Sequence, residues 1–219
     1  MNRIQLDISG IEAVIFDMNG TMIDDMGFHK KAWREYFKSM GVELTDEDFK
    51  WKISGANNSK IFENILGHKL TPEEVKKYGN EKEAFYRKIY APYIKEVPGL
   101  KDLIHIFKSK NLKVAIATTA IEPNRKFVLD ALGLENEFDV ILGDEQVTNG
   151  KPNPEIYLET AKKLEVDVSK CLVFEDTTPG VEAGKNAGMK VVGVLTTHTK
   201  EDLKDADYLI KDFTEIQIS

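Results

Sequence analysis

Short apolar runs rich in β-branched residues recur along this chain at 13–16, 113–118, 140–142, 171–174, 190–195 and 208–210. Runs this brief, without polar alternation, predict strands buried on both faces. Between the later runs lie segments with apolar residues at helical spacing, 99–110, 123–132, 154–164 and 179–187. Strand and helix in alternation predict an α/β fold, a Rossmann-like parallel sheet flanked by helices. The alternation fails once, because from Asp24 to about Pro92 the pattern is helix after helix, over 28–40, 45–53, 59–66 and 72–90. Helix starts are written into that stretch: Thr45 stands three residues before Asp48, and Thr71 precedes Pro72 and Glu74, with proline at a first helical position. The stretch reads as an insert after the first strand. It divides the chain into a discontinuous core, 1–24 and 93–219, and a small α-helical domain, 25–92. Trp33 and Trp51 fall at apolar helical positions of the insert and are expected in its core.

An open parallel sheet binds ligands beyond the carboxyl ends of its strands. Four segments occupy that rim: Asp17-Met18-Asn19-Gly20-Thr21, then Thr118-Thr119, then Lys151-Pro152, then Glu175-Asp176-Thr177-Thr178-Pro179. Together they supply carboxylates, hydroxyls and one lysine. An aspartate can attack phosphorus and split a difficult transfer into two steps. It needs relief from anionic repulsion, which Mg²⁺ bound by one or two carboxylates supplies. Asp17 and Asp176 suit that binding. Lys151 and the Thr118 hydroxyl suit the remaining phosphate oxygens, with Thr119 able to take the place of Thr118, and backbone N–H groups of the turn through Gly20 and Thr21 add donors. Each residue alone has a plainer use, as a turn former, a helix entry or a solvated charge; it is their joint order at strand ends that points to phosphoryl chemistry.

Charge narrows the partners. A chain of 219 residues with a formal charge of −7 lacks the broad basic surface that binds a nucleic-acid backbone, so phosphate is bound locally. No apolar stretch approaches the ~20 residues of a membrane span, and the N-terminus has no apolar signal region. A cytoplasmic monomer acting on a small phosphorylated metabolite, with no nucleic-acid or membrane partner, is the expectation. The single cysteine, Cys171, lies inside an apolar run and is expected to be a buried, inert thiol.

The four segments, in this order, resemble the motifs of the haloacid dehalogenase superfamily, and the helical insert after the first of them resembles its β-phosphoglucomutase-like branch. The likeness covers nearly the whole chain. It implies a phosphatase or phosphotransferase in which Asp17 is the nucleophile, the backbone carbonyl of Asn19 and the Asp176 carboxylate are metal ligands, and Glu175 supports or joins the metal shell. Thr118 and Lys151 would bind the transferred phosphoryl group. His29 resembles a histidine of the helical cap that reaches the ligand when the cap closes.

The departures from that family are as informative. Where its hydrolases and mutases carry a second aspartate as general acid and base, this chain has Asn19, whose amide exchanges no proton usefully. Three explanations stand open: activated phosphate substrates or a binding role, an asparagine introduced to stall turnover, or conversion of Asn19-Gly20 to aspartate by deamidation. The phosphate-binding arginine that often follows a cap glycine in that branch is replaced in Gly55-Ala56-Asn57-Asn58, and its Lys-Asn pair by Ala120-Ile121-Glu122. A phosphatase is therefore preferred to a sugar phosphomutase, with a non-catalytic phosphometabolite binder as the alternative of a different class.

Overall fold

The computed structural model describes residues 3–53 and 56–219. Its strands are β1 (Ile4–Leu6), β2 (Ala13–Phe16), β3 (Lys113–Thr118), β4 (Val140–Gly143), β5 (Cys171–Glu175), β6 (Lys190–Val194), β7 (Tyr208–Ile210) and β8 (Ile216–Ile218). Its α-helices are α1 (Met26–Ser39), α2 (Asp46–Asp48), α3 (Asn58–Leu66), α4 (Pro72–Tyr90), α5 (Leu100–Ser109), α6 (Glu122–Leu132), α7 (Glu155–Leu164) and α8 (Thr178–Asn186). They form two compact units, Met1–Asp24 with Ile94–Ser219, and Asp25–Tyr93.

The first unit is built on a six-stranded sheet in the order β4-β3-β2-β5-β6-β7, every neighbouring pair parallel. From β2 the chain steps outward through β3 and β4, then returns to the other side of β2 and steps outward again through β5, β6 and β7. The order reverses between β2 and β5, the place where an open α/β sheet leaves a crevice beyond its strand ends. All four residues of β2 are fully buried, because helices cover both faces. Ala13 and Ile15 pack toward Tyr157 and Leu164 of α7 and Val181 and Ala183 of α8. Phe16, on the opposite face, stacks on Phe174 of β5 at 4.8 Å, with Phe213 edge-on to both.

Strand ends extend past the apolar runs. The ladder continues to Gly143, opposite Thr118, and to Glu175, opposite Gly193, since backbone pairing does not require an apolar side chain. Conversely, the expected run 190–195 ends at Val194. A separate two-stranded parallel sheet joins β1 to β8. Its three-residue strands alternate Ile-Gln-Leu and Ile-Gln-Ile, too short for periodicity to reveal.

The second unit is helical, as the broken alternation predicts. Capping boxes start α2 at Thr45 and α4 at Thr71, with Asp48 and Glu74 reaching back to the cap N–H groups, which satisfies backbone donors at each end reciprocally. Trp33, Tyr36, Phe37 and Phe62 form its aromatic core. Trp51 is the exception to the expected burial: it is 73% exposed, whereas Trp33 is 6% exposed. The expected helix over 45–53 becomes the short α2 followed by a π-helical turn, Phe49–Ile53. Phe49 and Ile53 are buried on this turn, so Trp51, two residues from each, falls on its opposite, outer side, where Lys50 Nζ lies 4.7 Å from its ring centroid. Gly55, read from the sequence beside the missing arginine, lies outside the described residues.

Candidate active site

Two adjacent strand ends at the reversal of the sheet bring the first and last motifs together. Asp17 directly follows β2, and its N–H donates to Phe174 O at 3.0 Å; Glu175 ends β5 and Asp176 follows it. Carboxylate oxygens of Asp17, Glu175 and Asp176 lie within 4.8 Å of one another, all buried. Three such charges in one buried place repel strongly unless a cation enters. Lys151 supplies one: its ammonium donates to Asp17 Oδ1 at 2.7 Å and Glu175 Oε1 at 2.5 Å. It also lies 3.4 Å from Ala117 O, next to Thr118 at the end of β3.

The electrostatics follow from burial and crowding. Burial pushes the Asp17 carboxyl well above the usual carboxylate range; Lys151 opposes that shift, and Glu175 and Asp176 add to it. Asp176 is pushed up to about 7 by burial and then by the Glu175 charge. Lys151 is held well above its ordinary value, with Asp17 and Glu175 outweighing a burial that works the other way.

Glu175 is saturated. Its Oε1 accepts from Lys151 and from Tyr157 Oη at 2.7 Å, while its Oε2 accepts from Asp176 N, Thr177 N and Thr177 Oγ1. Asp176 is different. Its Oδ1 accepts from Thr21 Oγ1 at 3.1 Å, but its buried Oδ2 has no hydrogen-bond partner. An orphaned carboxylate oxygen beside a second buried carboxylate, in an all-oxygen donor set, fits a hard divalent cation such as Mg²⁺.

The loop after β2 is shaped around that oxygen. Gly20 has φ +80°, and a Cβ there would lie 2.0 Å from Asp176 Oδ2, so backbone conformation and space both demand glycine. The Thr196 hydroxyl donates to Gly20 O. Met22 N donates to Met18 O at 2.8 Å, closing the turn that carries half-buried Asn19, and Gly20 N donates to Ile23 O at 2.7 Å. Thr118 is buried, its Oγ1 accepting from Ala120 N at 3.1 Å, whereas Thr119 is exposed.

The residues singled out from the sequence thus separate. Asp17, Lys151, Glu175, Asp176 and Thr21 share direct contacts; Asn19 and Gly20 are in the same loop as Asp17; Thr118 ends the strand whose Ala117 carbonyl meets Lys151. His29 belongs to the helical unit, where its Nε2 lies 3.3 Å from Asp25 Oδ2, its Nδ1 2.9 Å from Lys82 Nζ, and its ring stacks on Tyr86 at 3.9 Å. Sequence reasoning missed Tyr157, which anchors Glu175, and His198, whose Nδ1 is 3.0 Å from Asp176 O. Tyr157 is legible only as one more apolar position of α7, and nothing in the pattern around His198 marks it.

Comparison with known proteins is consistent with this geometry. A family model described as haloacid dehalogenase-like hydrolase matches residues 14–194. The chain is 37% identical over 198 residues, 89% of each chain, to the phosphorylated carbohydrates phosphatase of Thermotoga maritima. It superposes with a TM-score of 0.87 on the family IA, variant 3 hydrolase of Entamoeba histolytica, at 36% identity over 94% of this chain and 96% of that one. Against the β-phosphoglucomutase of Clostridium difficile the TM-score is 0.80, at 30% identity over 94% and 93%.

Proposed function

The chain belongs to the haloacid dehalogenase-like hydrolases, and from that membership we propose that it is a Mg²⁺-dependent phosphatase or phosphotransferase for a phosphorylated carbohydrate, acting through a phosphorylated Asp17. One observation carries the reading: the Lys151 ammonium bridges Asp17 and Glu175 while a buried oxygen of neighbouring Asp176 has no partner. Such a cluster combines a nucleophile, a phosphate-binding cation and a place for a metal.

The roles divide by chemistry. Asp17 and Asp176, with the backbone carbonyl of Asn19, would hold Mg²⁺, which when bound offsets the charge of the transferring phosphoryl group. Glu175, its oxygens already engaged, holds Lys151 and the turn at Asp176 and Thr177. The Asp17 carboxylate attacks phosphorus as the bond to the leaving oxygen breaks, while Lys151, Thr118 and the N–H of Thr21 bind the non-bridging oxygens; the Gly20 N–H, expected from the sequence to join them, is instead given to Ile23 O. Water then attacks phosphorus and returns Asp17 to its carboxylate, releasing inorganic phosphate. Asn19 gives no proton to the leaving oxygen, so good leaving groups are favoured and hydrolysis of the phosphoenzyme is slow.

The carbohydrate class rests on the phosphatase named above. A mutase is disfavoured by Ala120-Ile121-Glu122 in place of a Lys-Asn pair. A binder that turns nothing over is the second reading, favoured by Asn19. Incubation with an aryl phosphate and Mg²⁺, followed by intact-mass and peptide analysis, separates them. A gain of one phosphoryl group on Asp17, lost in Asp17→Asn, is the expected result. Tight but purely reversible binding, with no mass change, establishes the binder instead. By calorimetry, Asp176→Ala should weaken Mg²⁺ binding strongly; unchanged affinity removes Asp176 from the metal site.

A further inference from the structure

Arg125, in the first turn of α6, is a buried guanidinium outside the carboxylate cluster, only 8% exposed. Its Nη1 donates to Ala120 O at 2.6 Å and to Glu145 Oε2 at 3.0 Å, and its Nη2 to Glu145 Oε1 at 2.5 Å. The two partners lie on different segments. Ala120 belongs to the turn after β3, and its N–H donates to Thr118 Oγ1. A hydroxyl that accepts in this way keeps its own proton for another acceptor. Glu145 lies in the 3-10 turn Asp144–Gln146 after β4, on the segment that leads to Lys151.

A second observation fixes the guanidinium in place. Gly143, the β4 residue paired with Thr118, has no room for a side chain: a Cβ there would lie 2.0 Å from Arg125 Nη1 and 2.3 Å from Glu145 Oε2. The bidentate pair fills that space, and the guanidinium holds the Glu145 carboxyl below its usual range. Glu145 itself is half exposed, and an ion pair with one partner in water is a weak stabiliser. Stability alone is a poor reason to bury an arginine here.

We propose that Arg125 is a positioning residue: through Ala120 it aims the Thr118 hydroxyl, and through Glu145 it fixes the segment carrying Lys151, so that hydroxyl and ammonium meet one phosphoryl group at a set spacing. This rests on Thr118 and Lys151 being the phosphoryl-binding pair of the preceding section. A bidentate fork with a third bond to a carbonyl is a task for arginine and not for lysine.

The test is orthovanadate binding in the presence of Mg²⁺, by calorimetry on variants whose folding is checked by circular dichroism. Thr118→Ala and Arg125→Met should each weaken binding about tenfold, the scale expected when a binding group is displaced by a fraction of an ångström. Arg125→Lys should not rescue it. The double variant should fall well short of the product of the single losses, because one change acts through the other. Parent-like binding by Arg125→Met, or losses that multiply, overturns the proposal. If Thr118→Ala and Lys151→Met themselves bind vanadate like the parent, the underlying assignment of the pair fails, and the proposal with it. Should Arg125→Met not fold, Gly143→Ala, which displaces the guanidinium, and Glu145→Gln, which weakens its grip, carry the same expectations and the same refutations.

Discussion

In the proposed mechanism Asn19 leaves attack on phosphorus in place but gives no proton to a poor leaving group. Asn19→Asp should therefore raise hydrolysis of an alkyl phosphate by about two orders of magnitude, the lower end of a general acid–base contribution, and raise aryl phosphate hydrolysis far less. Equal rates for fresh parent and variant on the alkyl substrate would show that another group supplies the proton. Spontaneous conversion of Asn19 is opposed by the loop itself. Deamidation needs the Gly20 nitrogen to attack the Asn19 side chain, yet that N–H is engaged by Ile23 O at 2.7 Å and Gly20 is packed against Asp176. Peptide mass spectrometry should find Asn19 intact in aged native protein and converted in protein aged in denaturant; equal conversion in both overturns this view of the loop.

At the level of elements, the helical unit owes its boundaries to side chains that replace missing backbone partners. Thr71 accepts from Glu74 N at 3.2 Å at the start of the long α4, and Thr71→Ala should cost about 1 kcal/mol in denaturant unfolding. At the neighbouring box, the Lys52 contact and then the Thr45 bonds hold the Asp48 carboxyl down at about 2. A folded-state value below the unfolded one contributes stability above the unfolded pKa and loses it as pH falls through the folded one. The stability gap between parent and Asp48→Asn should thus narrow as pH drops from about 5 toward 2; a constant gap refutes the assignment. The two tryptophans should separate sharply: Trp33→Ala is expected to cost about 3–5 kcal/mol, and Trp51→Ser less than about 0.5 kcal/mol.

Across the whole molecule, the sheet unites distant stretches of chain, and Cys171 reports on it. The thiol is fully buried in β5, and burial pushes it up to about 11. Thiolate, not thiol, reacts with disulfide reagents. Labelling at pH 8 should be very slow in the native protein and should accelerate with denaturant along the same curve as the loss of helical signal. Fast labelling without denaturant would show that β5 opens independently of the rest.

Much of this was legible beforehand for reasons that differ by level. Apolar runs of period-free character gave away the buried strands, because a strand covered on both faces is apolar through its middle and keeps polar residues for its ends. The carboxylates and hydroxyl at strand ends, and Lys151 on the loop after β4, could be picked out as candidates because an open parallel sheet gathers its ligand-binding groups beyond its strand ends. Trp51 departs from the expected burial because Phe49 and Ile53 take the inner side of this turn and a residue two positions from each falls on the opposite side. Strands β1 and β8 were missed because three residues carry no usable period.

By itself the sequence determined the alternating core, the helical insert, the order of the four motifs and the missing second aspartate, all properties of local pattern. Tertiary structure alone decided which of those groups touch. Sheet order placed β2 beside β5, so Asp17 and Asp176, far apart in the chain, became neighbours. It brought Lys151 between Asp17 and Glu175, set Tyr157 on Glu175, left one Asp176 oxygen without a partner and joined Arg125 to Glu145. Contacts of that kind depend on strand order and helix packing across the whole chain, which no window of residues encodes.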